Sequence, residues 1–257
     1  MIRVAVCGAC GRMGKLIVRI ISKQKDMRLV AAIDAPSTPE IGKDAGELAG
    51  VGKLGVNIVG ADKLASVMKK SRPDVLVDFT NAAAAVQNVK TAAEAGVAVV
   101  VGTTGFTEEQ RRAIERTIKD KRIPAVVSPN MSVGVNVFFK SIEETAKMLG
   151  SDYGVEIVEV HHVHKKDAPS GTAKRAAQIL AKALGRSEDS IRIKSIREGE
   201  VVGDHTVIFS VPEERVEITH RAQSRETFAA GAMKAIRHVI KKGKPGVVQD
   251  MRDVLGL

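Results

Sequence analysis

The sequence predicts an α/β protein: a doubly wound parallel sheet with a second, smaller α+β domain containing a mixed sheet. Three observations lead there. Over the first half, short apolar runs alternate with helix-patterned segments, the βαβα rhythm that builds a parallel sheet. A glycine-rich turn, G-A-C-G-R-M-G at 8–14, joins the first apolar run to the first helix. After about residue 190 the strand-like runs follow one another without intervening helices, which calls for an antiparallel or mixed sheet.

The chain has 257 residues, enough for one large domain or two modest ones. No apolar run is long enough to span a membrane as a helix. Met1-Ile2-Arg3-Val4 enters a strand at once with no export-signal pattern, and two cysteines make no disulfide framework. The cytoplasm is therefore the expected compartment. The net charge of +10 raises the question of nucleic acid. However, Lys and Arg are dispersed among Glu and Asp along helices, and aromatics are only 3%, too few for base-stacking platforms. The excess charge reads instead as a field favouring an anionic small molecule.

Taken in order, Ile2 to Cys7 is an apolar run of the kind that forms a buried parallel strand. Gly8, Gly11 and Gly14 follow, and Leu16, Ile17, Ile20 and Ile21 recur at helical spacing. Leu29 to Ile33 reads as the second strand, with Asp34 at its end. This is a Rossmann-like dinucleotide-binding unit. Gly8 permits the tight turn, Gly11 lets a pyrophosphate approach the backbone, and Gly14 lets helix and strand pack closely. The helix start faces the phosphates, and Asp34 accepts from the adenosine ribose hydroxyls. The spacing is G-x-x-G-x-x-G rather than G-x-G-x-x-G; the strand, helix and acid around it give it meaning. Cys7 and Cys10 make a C-x-x-C, but one falls in a buried strand end and the other in the glycine loop, so a redox pair is not the favoured reading.

Ala35 to Gly55 is loop-like, and Asp62 is placed to cap a short helix through Lys70. Val75 to Thr80 is another parallel-type strand; Ala82 to Ala95 is a helix stopped by Gly96. Val97 to Val101 is a strand ending in Gly102-Thr103-Thr104-Gly105, at the edge where ligands of open α/β sheets bind. Thr107 to Gln110 is a capping box opening a helix to about Lys121. Ala125 to Val127 is a further strand, ending in Ser128-Pro129-Asn130-Met131. Val135 to Leu149 reads as helix, Val155 to His164 as strand, and Ser170 to Leu184 as helix stopped by Gly185. Strands are expected at Ile191 to Ile196, Thr206 to Val211 and Arg215 to His220, and a helix at Thr227 to Lys241. The amphipathic tail, Gln249 to Leu255, is expected to pack back on the first domain. The domain boundaries read 1–128 with 225–257 returning to it, and 129–224 between.

The stretch Glu159 to Ala173, E-V-H-H-V-H-K-K-D-A-P-S-G-T-A, carries three of the six histidines and two lysines next to a helix start. Imidazole and ammonium are common proton donors and acceptors. A helix start attracts carboxylate or phosphate. If the strand continued, His162 and His164 would share one face and His161 would point the other way. A metal-binding H-x-H is not favoured, since no Cys or carboxylate at zinc-like spacing completes it. Lys166 is either a solvated lysine or adds to the positive field.

These motifs carry a resemblance. G-A-C-G-R-M-G, D-F-T at 78–80, G-T-T-G-F at 102–106, N-M-S-V-G-V-N at 130–136, the H-H-V-H-K-K-D-A-P-S-G-T segment and the closing M-R-D-V-L occur in order. Nearly end to end, the chain resembles the 4-hydroxy-tetrahydrodipicolinate (dihydrodipicolinate) reductases. The resemblance implies reduction of a cyclic imine dicarboxylate by NADH or NADPH, with loss of water, in lysine and diaminopimelate synthesis. It implies His161 as proton donor/acceptor, Lys165 as proton donor, and His162, Gly171 and Thr172 as substrate-binding. It implies cofactor contacts at Gly8, Ala9, Cys10, Gly11, Arg12, Met13, Asp34, Gly102, Thr103, Thr104, Ser128, Pro129, Asn130 and Met131, and a homotetramer built through the second domain's sheet.

One departure bears on the cofactor. Ala35 follows Asp34 where some relatives carry an arginine that would hold the NADPH 2′-phosphate. Asp34 would repel that phosphate, which favours NADH, although Arg12 offers an offset. Dual use with NADH at least as good is expected. Two rivals remain at this stage. A semialdehyde dehydrogenase forming an acyl-enzyme needs a nucleophilic cysteine in the second domain, and both cysteines lie near residue 10. A catalytically idle dinucleotide sensor would not need His161, Lys165 and an anion-binding helix start together.

Overall fold

Ile2–Cys7 forms β1, whose last four residues are buried, as an apolar strand at the centre of a parallel sheet must be. The computed structural model describes residues 1–257. After β1 come α1 (Arg12–Ile21), β2 (Met27–Asp34), α2 (Ala45–Leu48), β3 (Ile58–Gly60), α3 (Leu64–Ser71) and β4 (Val75–Asp78). Then follow α4 (Ala82–Glu94), β5 (Ala98–Val101), α5 (Glu108–Lys121), β6 (Ala125–Val127), α6 (Val133–Leu149), β7 (Gly154–His161) and α7 (Gly171–Leu184). The chain closes with β8 (Arg192–Arg197), β9 (Asp204–Ser210), β10 (Arg215–Arg221), α8 (Glu226–Lys241), β11 (Val248–Gln249) and α9 (Met251–Leu255). No helix is long and apolar enough to cross a membrane.

Two compact units result: Met1–Ser132 with Phe228–Gly256, and Val133–Thr227 with the terminal Leu257. The first holds a seven-stranded sheet in the order β11-β6-β5-β4-β1-β2-β3, with every pairing parallel. The order reverses between β1 and β4, so the carboxyl ends of these two strands form the switch point where such sheets bind ligands. On one face Val99, Val101, Val89, Ala92, Ile114 and Ile118 pack into one core.

The second unit carries a four-stranded sheet, β10-β9-β7-β8. β7 pairs β8 in parallel and β9 antiparallel, so the sheet is mixed. Along β7, Ile157, Glu159 and His161 alternate onto the buried face, while Val158 and Val160 point the other way and stay half-exposed. α6 and α7 cover that buried face; Phe138, Ile142, Ala176 and Leu180 pack on Ile157, Val207 and Phe209.

Several local expectations are corrected. The 35–55 loop contains α2, because buried Asp44 gathers the N–H groups of Gly46, Glu47, Leu54, Gly55 and Val56 around its carboxylate. Burial pushes this carboxyl up, but the backbone donors outweigh it and hold it below the usual range. Asp62 caps nothing; α3 is entered through a 3₁₀ turn, Ala61–Lys63. β7 stops at His161 rather than His164. There His162 N donates to Val201 O and Lys165 N turns back to His162 O, so the backbone leaves the sheet. The tail does return to the first sheet, as strand β11 on β6. α9 follows it with a capping box in which Asp250 and Asp253 satisfy each other's N–H.

Gly14 has the least room of the glycines in the loop after β1: a methyl there would run into Gly8 O and Ala9 Cα. Replacing Gly14 by Ala is therefore expected to lower stability by about 1–3 kcal/mol by displacing the loop. Chemical denaturation checks this; an unchanged midpoint would show that the loop has slack.

Candidate active site

At the switch point, Gly8 turns with φ +78, a value side chains disfavour, and a methyl there would meet Phe79 O. α1 begins behind Gly11, which offers no side-chain cap. The start of α1 therefore fits a pyrophosphate: Gly11 and Arg12 are exposed, and no capping side chain competes for the first N–H groups of the helix. Asp34 closes the loop, accepting from Cys10 N at 2.7 Å and from Ala35 N at 2.8 Å. Ala9 is buried, Cys10 and Met13 are partly covered, and Arg12 is exposed. Neither cysteine is a ready thiolate. Burial, then Asp78 and Asp34, pushes Cys7 up, and burial with Asp34 pushes Cys10 up to about 11.

Beside it, Asp78 at the end of β4 is fully buried and satisfied. Its Oδ1 accepts from Thr80 N, Thr80 Oγ1 and Thr103 Oγ1, the last at 2.6 Å, and its Oδ2 accepts from Asn88 at 2.8 Å. This ties the Phe79-Thr80 turn to the loop after β5. Gly102 lies so close to the Phe79 ring that any side chain would strike it. Thr103 is buried and Thr104 exposed; with Phe106, Val127, Pro129 and Val248 they line a cleft of about 200 Å³. Ser128 is buried, its hydroxyl donating to Asn130 O, and Asn130 Oδ1 accepts from Ser132 N. Met131 is 2% exposed and belongs to the core, its carbonyl packed against Gly231.

In the second unit, β7 delivers His161 at its last position, 7% exposed. Its Nδ1 lies 2.5 Å from Oε2 of Glu159, which has no exposed surface. Nε2 lies on the side of Gly203, where a side chain would crowd it at 2.9 Å. Glu159 Oε1 accepts from Ser170 N at 3.2 Å and Arg197 Nη2 at 3.1 Å. Arg197 also donates to the carbonyls of Lys165 and Asp167, gripping the loop's backbone. Lys165 pairs with Asp167 at 2.8 Å; that contact, before other causes, holds the Asp167 carboxyl low. His162 lies just past the strand, its ring 6.1 Å from that of His164, which is exposed along with Lys166. Ser170 caps α7 by accepting from Ala173 N, so its hydroxyl proton is free for His205 Nε2 at 3.0 Å. Gly171 is exposed, with nothing within 4 Å of where a side chain would be; Thr172 is half-buried.

The electrostatics follow from burial. Desolvation first lowers the His161 pKa; Glu159 opposes this, while Lys165 and Arg197 add to it. Burial raises Glu159, but Ser195, Arg197 and His161 together bring it below the usual range. Burial thus favours the neutral imidazole at His161, held against the Glu159 carboxylate.

Residues 2–131 match the family model for the dihydrodipicolinate reductase N-terminus, and residues 134–255 the model for its C-terminus. The chain belongs to the dihydrodipicolinate reductase family. Relatives named 4-hydroxy-tetrahydrodipicolinate reductase include one from Methanothermobacter thermautotrophicus, 50% identical over the full length of both chains. Another, from Methanosarcina barkeri, is 52% identical over the full length of both. A solved dipicolinate-bound dihydrodipicolinate reductase from Paenisporosarcina sp. TG-14 superposes with TM-score 0.82 at 26% identity, covering 98% of this chain and 99% of that one.

Within this dihydrodipicolinate reductase framework, several residues stood outside the sequence-derived set: Glu159, Arg197, His205 and Asp78. Glu159 left one trace in the sequence, an acid at an inward position between Ile157 and His161. Arg197 and His205 reach it from β8 and β9, and only the strand register reveals that: Glu159 faces both Ser195 and His205.

His205 has a measurable consequence. Burial, then the charge of His161, pushes its pKa down to about 3 from the ordinary 6.5. Below 6.5 the unfolded chain binds a proton that the folded chain refuses. Stability is thus full above that pH and is lost as pH falls toward 3. The loss in this window is expected to be on the order of a few kcal/mol. A His205→Gln variant, which can still accept from Ser170, should flatten it; urea unfolding at stepped pH values reads the slope.

Proposed function

We propose that this chain reduces 4-hydroxy-tetrahydrodipicolinate to tetrahydrodipicolinate with loss of water, with His161 and Lys165 as its proton-handling groups. Membership of the family carries the reaction class: an NAD(P)H-dependent oxidoreductase. The single geometric observation that best supports the residue roles is His161. It is held on a buried carboxylate, in the same folded segment as the Lys165 ammonium and the exposed helix start at Gly171.

The substrate carries two carboxylates, and the start of α7 with His162 and Thr172 suits one of them by helix dipole and N–H groups. Bound NADH or NADPH supplies a hydride. Hydride addition to the conjugated imine leaves electron density that a proton must neutralise. Lys165 is the donor for that proton and His161 its acid–base partner. Asp167 holds the ammonium and Arg197 the loop's carbonyls, so the loop is set before substrate arrives. One observation on the bound dipicolinate supports the substrate class: the solved relative's ligand is itself a cyclic dicarboxylate.

On the cofactor side, Gly8 to Met13, Asp34, Gly102 to Thr104 and Ser128 to Met131 are the proposed contacts. Asp34 keeps its carboxylate against the loop with Ala35 beyond it, a poor setting for a 2′-phosphate. NADH is therefore proposed as at least as good a donor as NADPH, with Arg12 allowing both. A homotetramer through the half-exposed face of the mixed sheet and a cytoplasmic location complete the reading.

Lys165→Ala should fold and bind NADH normally, yet lose kcat by roughly 10²–10⁴-fold; unchanged turnover would remove Lys165 from the reaction. NADH and NADPH oxidation, measured side by side on freshly generated substrate, tests the function itself. Ala35→Arg should raise the NADPH-to-NADH ratio of kcat/KM. A wild-type ratio strongly favouring NADPH would overturn the proposed preference.

A further inference from the structure

We infer that Glu159 is a positioning residue that fixes the proton of neutral His161 on Nδ1 and leaves Nε2 as the atom exchanging protons with substrate. The inference rests on the reading of His161 as a proton-handling group. It adds the residue that sets the histidine's working state.

At 2.5 Å two lone pairs repel strongly, so a hydrogen lies between Glu159 Oε2 and His161 Nδ1. Both atoms are buried, and neither makes a well-aligned hydrogen bond to any other group, so this short contact is the one through which each is satisfied. Glu159 is ionised, because Ser170 N and Arg197 already donate to its other oxygen and burial is thereby compensated. The hydrogen therefore belongs to the imidazole. Nε2 then carries the lone pair, on the side that Gly203 leaves uncovered.

Glu159, His161 and His205 offer atoms within 4.8 Å of one another, a spacing that also suits a metal ion. Two ligands of one tetrahedral zinc, each about 2.0–2.1 Å from it, stand roughly 3.3 Å apart. The observed 2.5 Å is too short for that, and Arg197 already occupies the carboxylate. A proton fits where a cation does not.

Every group facing His161 is accounted for: Glu159 on β7, Arg197 on β8, His205 on β9, and Lys165 in the loop. Only Glu159 favours the imidazolium; the others are cationic when charged. The same carboxylate also holds the start of α7 through Ser170 N and the Lys165–Asp167 backbone through Arg197. One side chain thus sets the tautomer of the acid–base group and the position of the two segments proposed to meet substrate. Its role parallels that of the aspartate in a Ser-His-Asp triad, where replacing the carboxylate by an amide preserves shape but selects the wrong tautomer.

The test uses the full-length protein with ¹⁵N-labelled histidine. Long-range ¹H–¹⁵N correlation spectra are expected to show neutral His161 protonated on Nδ1. Glu159→Gln keeps an acceptor for Ser170 but presents an amide to Nδ1, so the proton should move to Nε2. Its kcat should fall roughly 10²-fold with KM for NADH unchanged, and the His161 limb of the kcat–pH profile should move to lower pH. Glu159→Asp, with the charge restored, should recover part of the loss. Wild-type His161 protonated on Nε2, or Glu159→Gln with wild-type kcat and profile, would overturn the inference. Should Glu159→Gln fail to fold, the wild-type spectrum decides alone. A His161→Gln variant with full turnover would instead sink the functional reading, while the spectrum would still report on Glu159.

Discussion

A carboxylate with no exposed surface governs the second unit. Burying an ionised side chain costs several kcal/mol unless donors replace the lost water, and the neighbourhood of Glu159 consists of such donors. Ser170 N reaches it from the start of α7 and Arg197 from β8, and the His161 ring meets it from two residues along β7 itself. The fold cannot satisfy the charge without bringing those segments together, so stability and the geometry of the candidate site are one requirement. A hydrophobic side chain at this position would relieve the burial cost and release the loop.

The first unit solves a similar problem with Asp78, also fully buried and also surrounded by donors. There the donors are a threonine turn, a second threonine and an asparagine, all neutral. The result is a rigid joint between the loops after β4 and β5, packed against Gly8 and Gly102 by Phe79. Each unit thus anchors neighbouring loops on one interior acid, charge-compensated in one case and hydrogen-bonded in the other.

Much of this was legible in the sequence because it is local. The glycine loop and the capping box at Thr107 are encoded within a few residues, and each appears as read. What was not legible depends on partners far along the chain. Asp44 draws donors from a loop up to twelve residues away, which no period reveals. β7 was read three residues too long because His162 finds its backbone partner at Val201. β11 has only two residues, too few to carry a pattern, and is a strand solely because β6 offers it a partner. At the candidate site, the histidine–lysine segment announced itself by composition, whereas Arg197 and His205 become relevant only once β8 and β9 flank β7.

The returning tail has a bearing on biosynthesis. β6 is complete when the ribosome has made about half the chain, yet its outer neighbour β11 emerges only after the entire second unit. Until then β6 is an open edge with unpaired backbone groups, the kind of surface on which other chains nucleate. Its brevity, three residues, limits how much a stray strand gains by pairing there. The nascent protein thereby waits for its own last strand with little to offer an intruder.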